Sequence, residues 1–207
     1  MESLARIGVS RKTGAEPFTA AGRPVGPTVA DFWGWSRSDL LDNTERGVLA
    51  EFIVATALEI PADGVREGWA TWDLTTPGGV RVEVKSAAYL QSWAQKELSR
   101  ISFNTPKTLA WDADGGGFAN IARRHAQVYV FALLAHTNKA TVNPLDLDQW
   151  VFYVLPTATL DGRTRSQQSI TLRTLETLTT AVGFAELRQA VNLAADPAPL
   201  PSGEPFV

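Results

Sequence analysis

Residues 71–91 read TWDLTTPGGVRVEVKSAAYLQ, and the fold turns on how this stretch is read. Pro77, Gly78 and Gly79 carry turn chemistry between segments rich in β-branched residues. The pattern predicts a hairpin with strands over about 67–75 and 79–86, closed by residues 76–79. Side chains alternate along a strand, so Glu83 and Lys85 project to one face while Val82 and Val84 project to the other. Asp73 stands just ahead of the turn on the partner strand, roughly level with the Glu83 end. Three charges therefore stand in what is otherwise the apolar wall of a sheet.

Upstream, DNTERGVLAEFIVATALEI predicts a helix over about 43–60. Asp42 followed three residues later by Glu45 has the spacing of a capping box, and Pro61 stops extension beyond Ile60. This helix carries Glu51, with Gly47 and Ala55 one turn away on either side and Val54 and Leu58 on the same surface. If Glu51, Asp73 and Glu83 converge, each pair repels by about 3–4 kcal/mol at ~4 Å with an effective dielectric near 20. A hard dication such as Mg²⁺, which favours carboxylate oxygen, offsets that repulsion directly.

Downstream, YLQSWAQKELSR (residues 89–100) reads as a helix. AQVYVFALLA (126–135) and QWVFYVLPTA (149–158) are continuous apolar runs of strand length, the signature of strands covered on both faces. The stretch SITLRTLETLTTAVGFAELRQAVNL (169–193) reads as a strand or loop followed by one or two helices. The order αββαββα places the chain in the α/β class, with a mixed central β-sheet flanked by helices. Residues 1–30 show no sustained period and read as an N-terminal arm or extension. Residues 31–193 form the main domain, and the Pro-rich residues 194–207 form a tail.

Composition narrows the function classes. The chain has no Cys, which excludes disulfides, thiolate zinc sites and cysteine nucleophiles and suits a reducing cytoplasm. No window has the length and apolarity of a membrane span, so the expectation is a cytoplasmic protein with no membrane partner. A net charge of -3 gives no global attraction to nucleic acid, so such a partner needs a local basic patch. Lys96, Arg100, Lys107, Arg123 and Arg124, interleaved with Phe103, Trp111 and Phe118, suit phosphate contacts with base stacking. His125 and His136 have no carboxylate at ligand spacing and read as ordinary histidines. Neither Thr105-Pro-Lys nor the Gly-rich run after Asp112 completes a known phosphate or calcium loop.

The helix with Gly47-x-x-x-Glu51, then Asp73, then Glu83-Val84-Lys85, resembles the PD-(D/E)xK nuclease superfamily over about residues 42–155. The resemblance implies a restriction-endonuclease-like fold and a Mg²⁺-dependent endonuclease acting on DNA, with Mn²⁺ able to substitute. By the same resemblance Asp73 and Glu83 bind the metal, Lys85 orients or activates the attacking water, and Glu51 is an additional ligand or water-holding carboxylate. Gln91 matches a glutamine that some members place after the lysine. Trp72 stands where the motif has proline. The other reading is a non-cleaving module of the same fold that binds nucleic acid or a protein. Either reading is compatible with a homodimer.

Overall fold

A computed structural model describes residues 7–68, 70–112, 117–164 and 167–196. The first residues of the arm, the Gly-rich run around Asp114 and the tail from Pro197 onward lie outside these ranges. In chain order the elements are β1 (Pro17–Ala20), β2 (Arg23–Thr28), α1 (Val29–Arg37), α2 (Asn43–Ala57), β3 (Leu74–Thr75), β4 (Arg81–Ala88), β5 (Ser102–Asn104), β6 (Trp111–Asp112), β7 (Gly117–Phe118), β8 (Val128–Leu134), β9 (Trp150–Pro156), α3 (Thr157–Asp161), β10 (Ser169–Thr171), α4 (Leu172–Glu176) and α5 (Leu187–Ala195).

The central sheet runs β3-β4-β8-β9. β3 and β4 are antiparallel, β4 and β8 parallel, β8 and β9 antiparallel, so the sheet is mixed, as the element order predicts. Strand alternation sorts β8 and β9 between two cores. Val128, Val130, Ala132 and Leu134, with Trp150, Phe152 and Val154, meet Ala50, Ile53 and Val54 of α2 and Leu187 and Val191 of α5. On the opposite face Tyr129, Phe131, Leu133, Tyr153 and Leu155 meet Phe103, Leu160, Ile170 and Leu175. Every residue of β8 is buried, which accounts for its unbroken apolar run.

Three expectations are corrected. The first strand of the hairpin shrinks to Leu74–Thr75, because the chain before Asp73 turns away from the sheet to line a cavity beside α2. Residues 89–100 form no helix. Gln95 supplies the reason: its carbonyl accepts from the Gln91 backbone N–H at 2.7 Å, its amide donates to Tyr89 O at 3.2 Å, and the Ser99 N–H returns to Tyr89 O at 2.9 Å. Side-chain amides thus take the bonds a helix would have used. Asp42 caps α2 by accepting from the Thr44 N–H at 2.9 Å, whereas Glu45 pairs with Arg37, so the reciprocal half of the capping box is not made. The arm contains an exposed hairpin, β1–β2, that runs into α1. There the box is complete: the Asp31 carboxylate accepts from the Thr28 N–H at 2.7 Å and the Thr28 hydroxyl from the Asp31 N–H at 3.4 Å.

Candidate active site

The hairpin turn is built as its composition demands. Thr76 O accepts from the Gly79 N–H at 2.8 Å, Val80 O from the Thr76 N–H at 2.9 Å, and Gly79 adopts φ +83°, a conformation that costs glycine nothing. This turn sets the register, with Leu74 opposite Val82 and Thr75 opposite Arg81. One step further, past the end of β3, Asp73 stands alongside the Val82–Val84 stretch of β4. The Asp73 N–H donates to Val82 O at 3.2 Å, and its carboxylate accepts from the Val84 N–H at 2.7 Å. A side chain thereby occupies the edge of β4 where β3 has ended.

Val82 and Val84 enter the α2-facing core, and Glu83 and Lys85 project to the other face, opposite Tyr129 and Phe131 of β8. Lys85 Nζ donates to Glu83 Oε1 at 2.5 Å. Burial pushes the Glu83 carboxyl above the ordinary glutamate range; Lys85 opposes the rise, while the charges of Asp73 and, more weakly, Glu51 add to it. Burial also pushes the Tyr129 hydroxyl up, with the Glu83 charge as the next cause. The site is thus a partly dry acidic centre in which one carboxylate resists ionisation.

Glu51 sits on α2 and is largely buried, and its two oxygens are held by Arg66, with Nη2–Oε1 at 2.7 Å and a second contact from Nε to Oε2. That bond, and then the charges of Glu51 and Asp73, raise the Arg66 guanidinium above its usual value against the opposing effect of burial. Glu51, Asp73 and Arg66 line one cavity of about 570 Å³. Among the described residues no three His, Asp or Glu side chains gather as a metal-holding group; each site carboxylate is engaged separately, by Arg66, Val84 N–H or Lys85. Arg66 was invisible to sequence reasoning, since its distance from Glu51 along the chain follows no helical or strand period.

Gln91 is buried and committed elsewhere. It accepts from Arg46 Nη1 at 3.3 Å and donates to Ala88 O at 3.3 Å and Ser99 Oγ at 3.2 Å, and none of these bonds joins the carboxylates. Its partner Arg46 is buried among neutral acceptors, Ser86 Oγ at 3.2 Å, Leu41 O at 2.8 Å and Asn43 Oδ1 at 2.7 Å. Desolvation lowers the Arg46 guanidinium below its usual value, offset by Asp42. This cluster ties the start of α2 to β4 and the chain that follows it.

The basic residues of 96–124 divide. Lys96, Arg100 and Arg123 are exposed, and Lys107 lies 3.6 Å from Asp161. Arg124 is no phosphate contact: its side chain is 0% exposed and donates to Thr105 O at 2.7 and 3.1 Å, Gln167 O at 2.7 Å and Asp161 Oδ1 at 2.5 Å. Arg124→Ala removes a buried charge and strands those acceptors, so the expected loss is about 3 kcal/mol of stability; denaturant unfolding measures it, and a variant as stable as wild type contradicts the structural role. His125 Nε2 lies 2.9 Å from Thr108 O and His136 Nε2 2.8 Å from Thr141 Oγ1, each in an ordinary polar contact.

A family model described as bacteriophage T4 endonuclease IV matches residues 33–174, a span that takes in α2, the hairpin and the whole central sheet. No curated protein matches the chain.

Proposed function

The chain belongs to the bacteriophage T4 endonuclease IV family, a family of endonucleases, and from that premise we propose that it hydrolyses DNA phosphodiester bonds with a PD-(D/E)xK-type site dependent on Mg²⁺. One observation supports the assignment to this site: Asp73 lies against β4 with its carboxylate on the Val84 N–H, beside the Lys85–Glu83 pair of the same strand. The oxygen chemistry of the donors supports this reading, although each carboxylate has its own partner and the three are not gathered into one group. The charges of Asp73 and Glu51 both reach the partly dehydrated Glu83 carboxyl, and carboxylate oxygens are the donors hard dications prefer.

Asp73 and Glu83 would hold the ion, with Glu51 as an additional carboxylate. When bound, Mg²⁺ or Mn²⁺ supplies polarisation of the scissile phosphate and a more acidic water. The remaining chemistry belongs to the chain's own groups. The Val84 N–H fixes the Asp73 carboxylate against the sheet edge, so its position costs no rearrangement when substrate arrives. Lys85 carries its ammonium beside Glu83 and stabilises negative charge that develops on the phosphate oxygens, or holds the attacking water through a hydrogen bond. Burial of the Lys85–Glu83 pair strengthens both effects relative to water.

The test is incubation of the protein with plasmid, single-stranded and branched DNA, and with RNA, in Mg²⁺, Mn²⁺ or chelator. Internal cleavage of DNA with either metal and none in chelator is the expected result. Undiminished cleavage in chelator refutes the metal-dependent reading, and cleavage confined to RNA refutes the substrate.

A further inference from the structure

A second cavity, of about 750 Å³, opens beside the acidic one and is walled by Arg11, Lys12, Trp33 and Arg66, with no acidic residue among the described residues of its lining. The two share Arg11, Gly64, Val65 and Arg66, so a basic cleft runs directly into the cavity that holds Glu51 and Asp73. Resting on the nuclease reading above, we propose that this cleft is the track for the substrate backbone: Arg11, Lys12 and Arg66 bind phosphates flanking the scissile one, and Trp33 stacks against a base.

The cleft is held in shape by specific contacts. Gly14 adopts φ +97°, and a Cβ there would meet Trp33 and Ala30 at 3.3 Å, so a side chain at this position would be strained where the arm packs against α1. The Ala30 N–H donates to Gly14 O at 2.9 Å and the Val29 N–H to Glu16 O at 3.0 Å, which pins the arm to the helix start. Arg11 and Lys12 hold no ion pair among the described residues, whereas Arg66 is bound to Glu51. Two uncommitted cations on a chain of net charge -3 create a local positive field where the whole molecule has none. Trp33 remains 41% exposed despite its contact with Gly14, leaving ring surface for a base. Arg66 stands where the two cavities meet, so a phosphate entering along Arg11 and Lys12 reaches its guanidinium before it reaches Asp73.

Binding is measured by fluorescence anisotropy of labelled duplex and single-stranded oligonucleotides in chelator, over a series of salt concentrations. Asp73→Asn serves as a second background in which the cleft is intact and cleavage is lost. Arg11→Ala combined with Lys12→Ala is expected to weaken binding about tenfold and to flatten the dependence of log K on log salt by about one unit per lost contact. The charge-keeping pair Arg11→Lys and Lys12→Arg restores the slope. Both substitutions lie in the exposed arm, so the core is undisturbed. If the double alanine variant keeps wild-type affinity and slope while wild type cleaves DNA, the track is wrong and the nuclease reading stands. If wild type binds and the double variant loses the slope but no DNA is cleaved under any metal, the track stands and the catalytic reading falls. If wild type binds neither oligonucleotide in chelator, the track is overturned.

Discussion

Asp73→Asn and Glu83→Gln are each expected to lower the rate of DNA cleavage at least about a thousandfold, and Lys85→Ala about a hundred- to a thousandfold. The carboxylate variants are near-isosteric, so the loss reports on charge. Asparagine at 73 can still accept from the Val84 N–H, which keeps the sheet edge closed. Glutamine at 83 can still accept from Lys85 Nζ. Lys85→Ala does more than remove an ammonium: Glu83 loses the partner that opposes the rise in its carboxyl, so a larger share of Glu83 stays protonated and a potential metal ligand is weakened along with the charge stabiliser. Circular dichroism and melting curves establish that each variant is folded before rates are compared. A Lys85→Ala protein that cleaves at the wild-type rate, or an Asp73→Asn protein with ordinary activity, removes the site from the hairpin.

A second large effect is expected in stability, and it needs no substrate. A ligand that binds only the folded state stabilises it by RT ln(1 + [L]/Kd), about 2.7 kcal/mol at a hundred times Kd. For a chain of this size that raises the melting temperature by about 5–10 °C. Wild type should show this gain with Mg²⁺ or Mn²⁺, and Asp73→Asn should show little of it. In chelator the order reverses: the asparagine variant keeps the backbone bond and loses a charge that repels Glu83, so it should melt at or above the wild-type temperature, whereas Asp73→Ala also loses the acceptor and should fall by about 1–2 kcal/mol. The pH dependence follows from Glu83. Its folded carboxyl titrates above the unfolded one, so the folded state binds more protons in that window and metal-free wild type loses stability as pH rises from the ordinary glutamate range through the raised value. Glu83→Gln lacks that contribution. Metal binding needs the ionised form, so Mn²⁺ affinity should strengthen over the same rise in pH. A metal-indifferent wild type with a destabilised Asp73→Asn would leave Asp73 with only its role as an acceptor for Val84.

What the sequence revealed of this arrangement followed the range of the forces involved. The turn at 76–79, the alternation of Val82, Glu83, Val84 and Lys85, and the two apolar runs of β8 and β9 are local patterns, and each appears in the fold. That Asp73 comes roughly level with the Glu83 end was legible from the turn, whereas the register was not, because it depends on where β3 leaves the edge of β4. The complete box of Thr28 and Asp31 at the start of α1 has a local spacing too, masked by the glycines and prolines around it. Other features depended on partners far along the chain. Residues 89–100 have helical composition, but Gln95 captures their backbone groups. Arg124 has the composition of a surface cation and is buried because Thr105, Asp161 and Gln167 surround it. Arg66 meets Glu51 only because the segment after α2 folds back over the helix, which no periodicity encodes.

The parallel pairing of β4 with β8 has a consequence for how the protein forms. A hairpin such as β3–β4, with two paired residues on one strand, closes in microseconds but has little stability alone. It becomes rigid when Val82 through Ala88 dock against Val128 through Leu134, a closure across the whole crossover that carries the entropic cost of a long loop and belongs late in folding. Glu83 and Lys85 therefore acquire their place beside Tyr129 and Phe131 only when that long-range pairing forms. A refolding chain should recover its secondary structure in an early phase and its competence to cut in a later one, so the nascent protein stays inert until the sheet is complete.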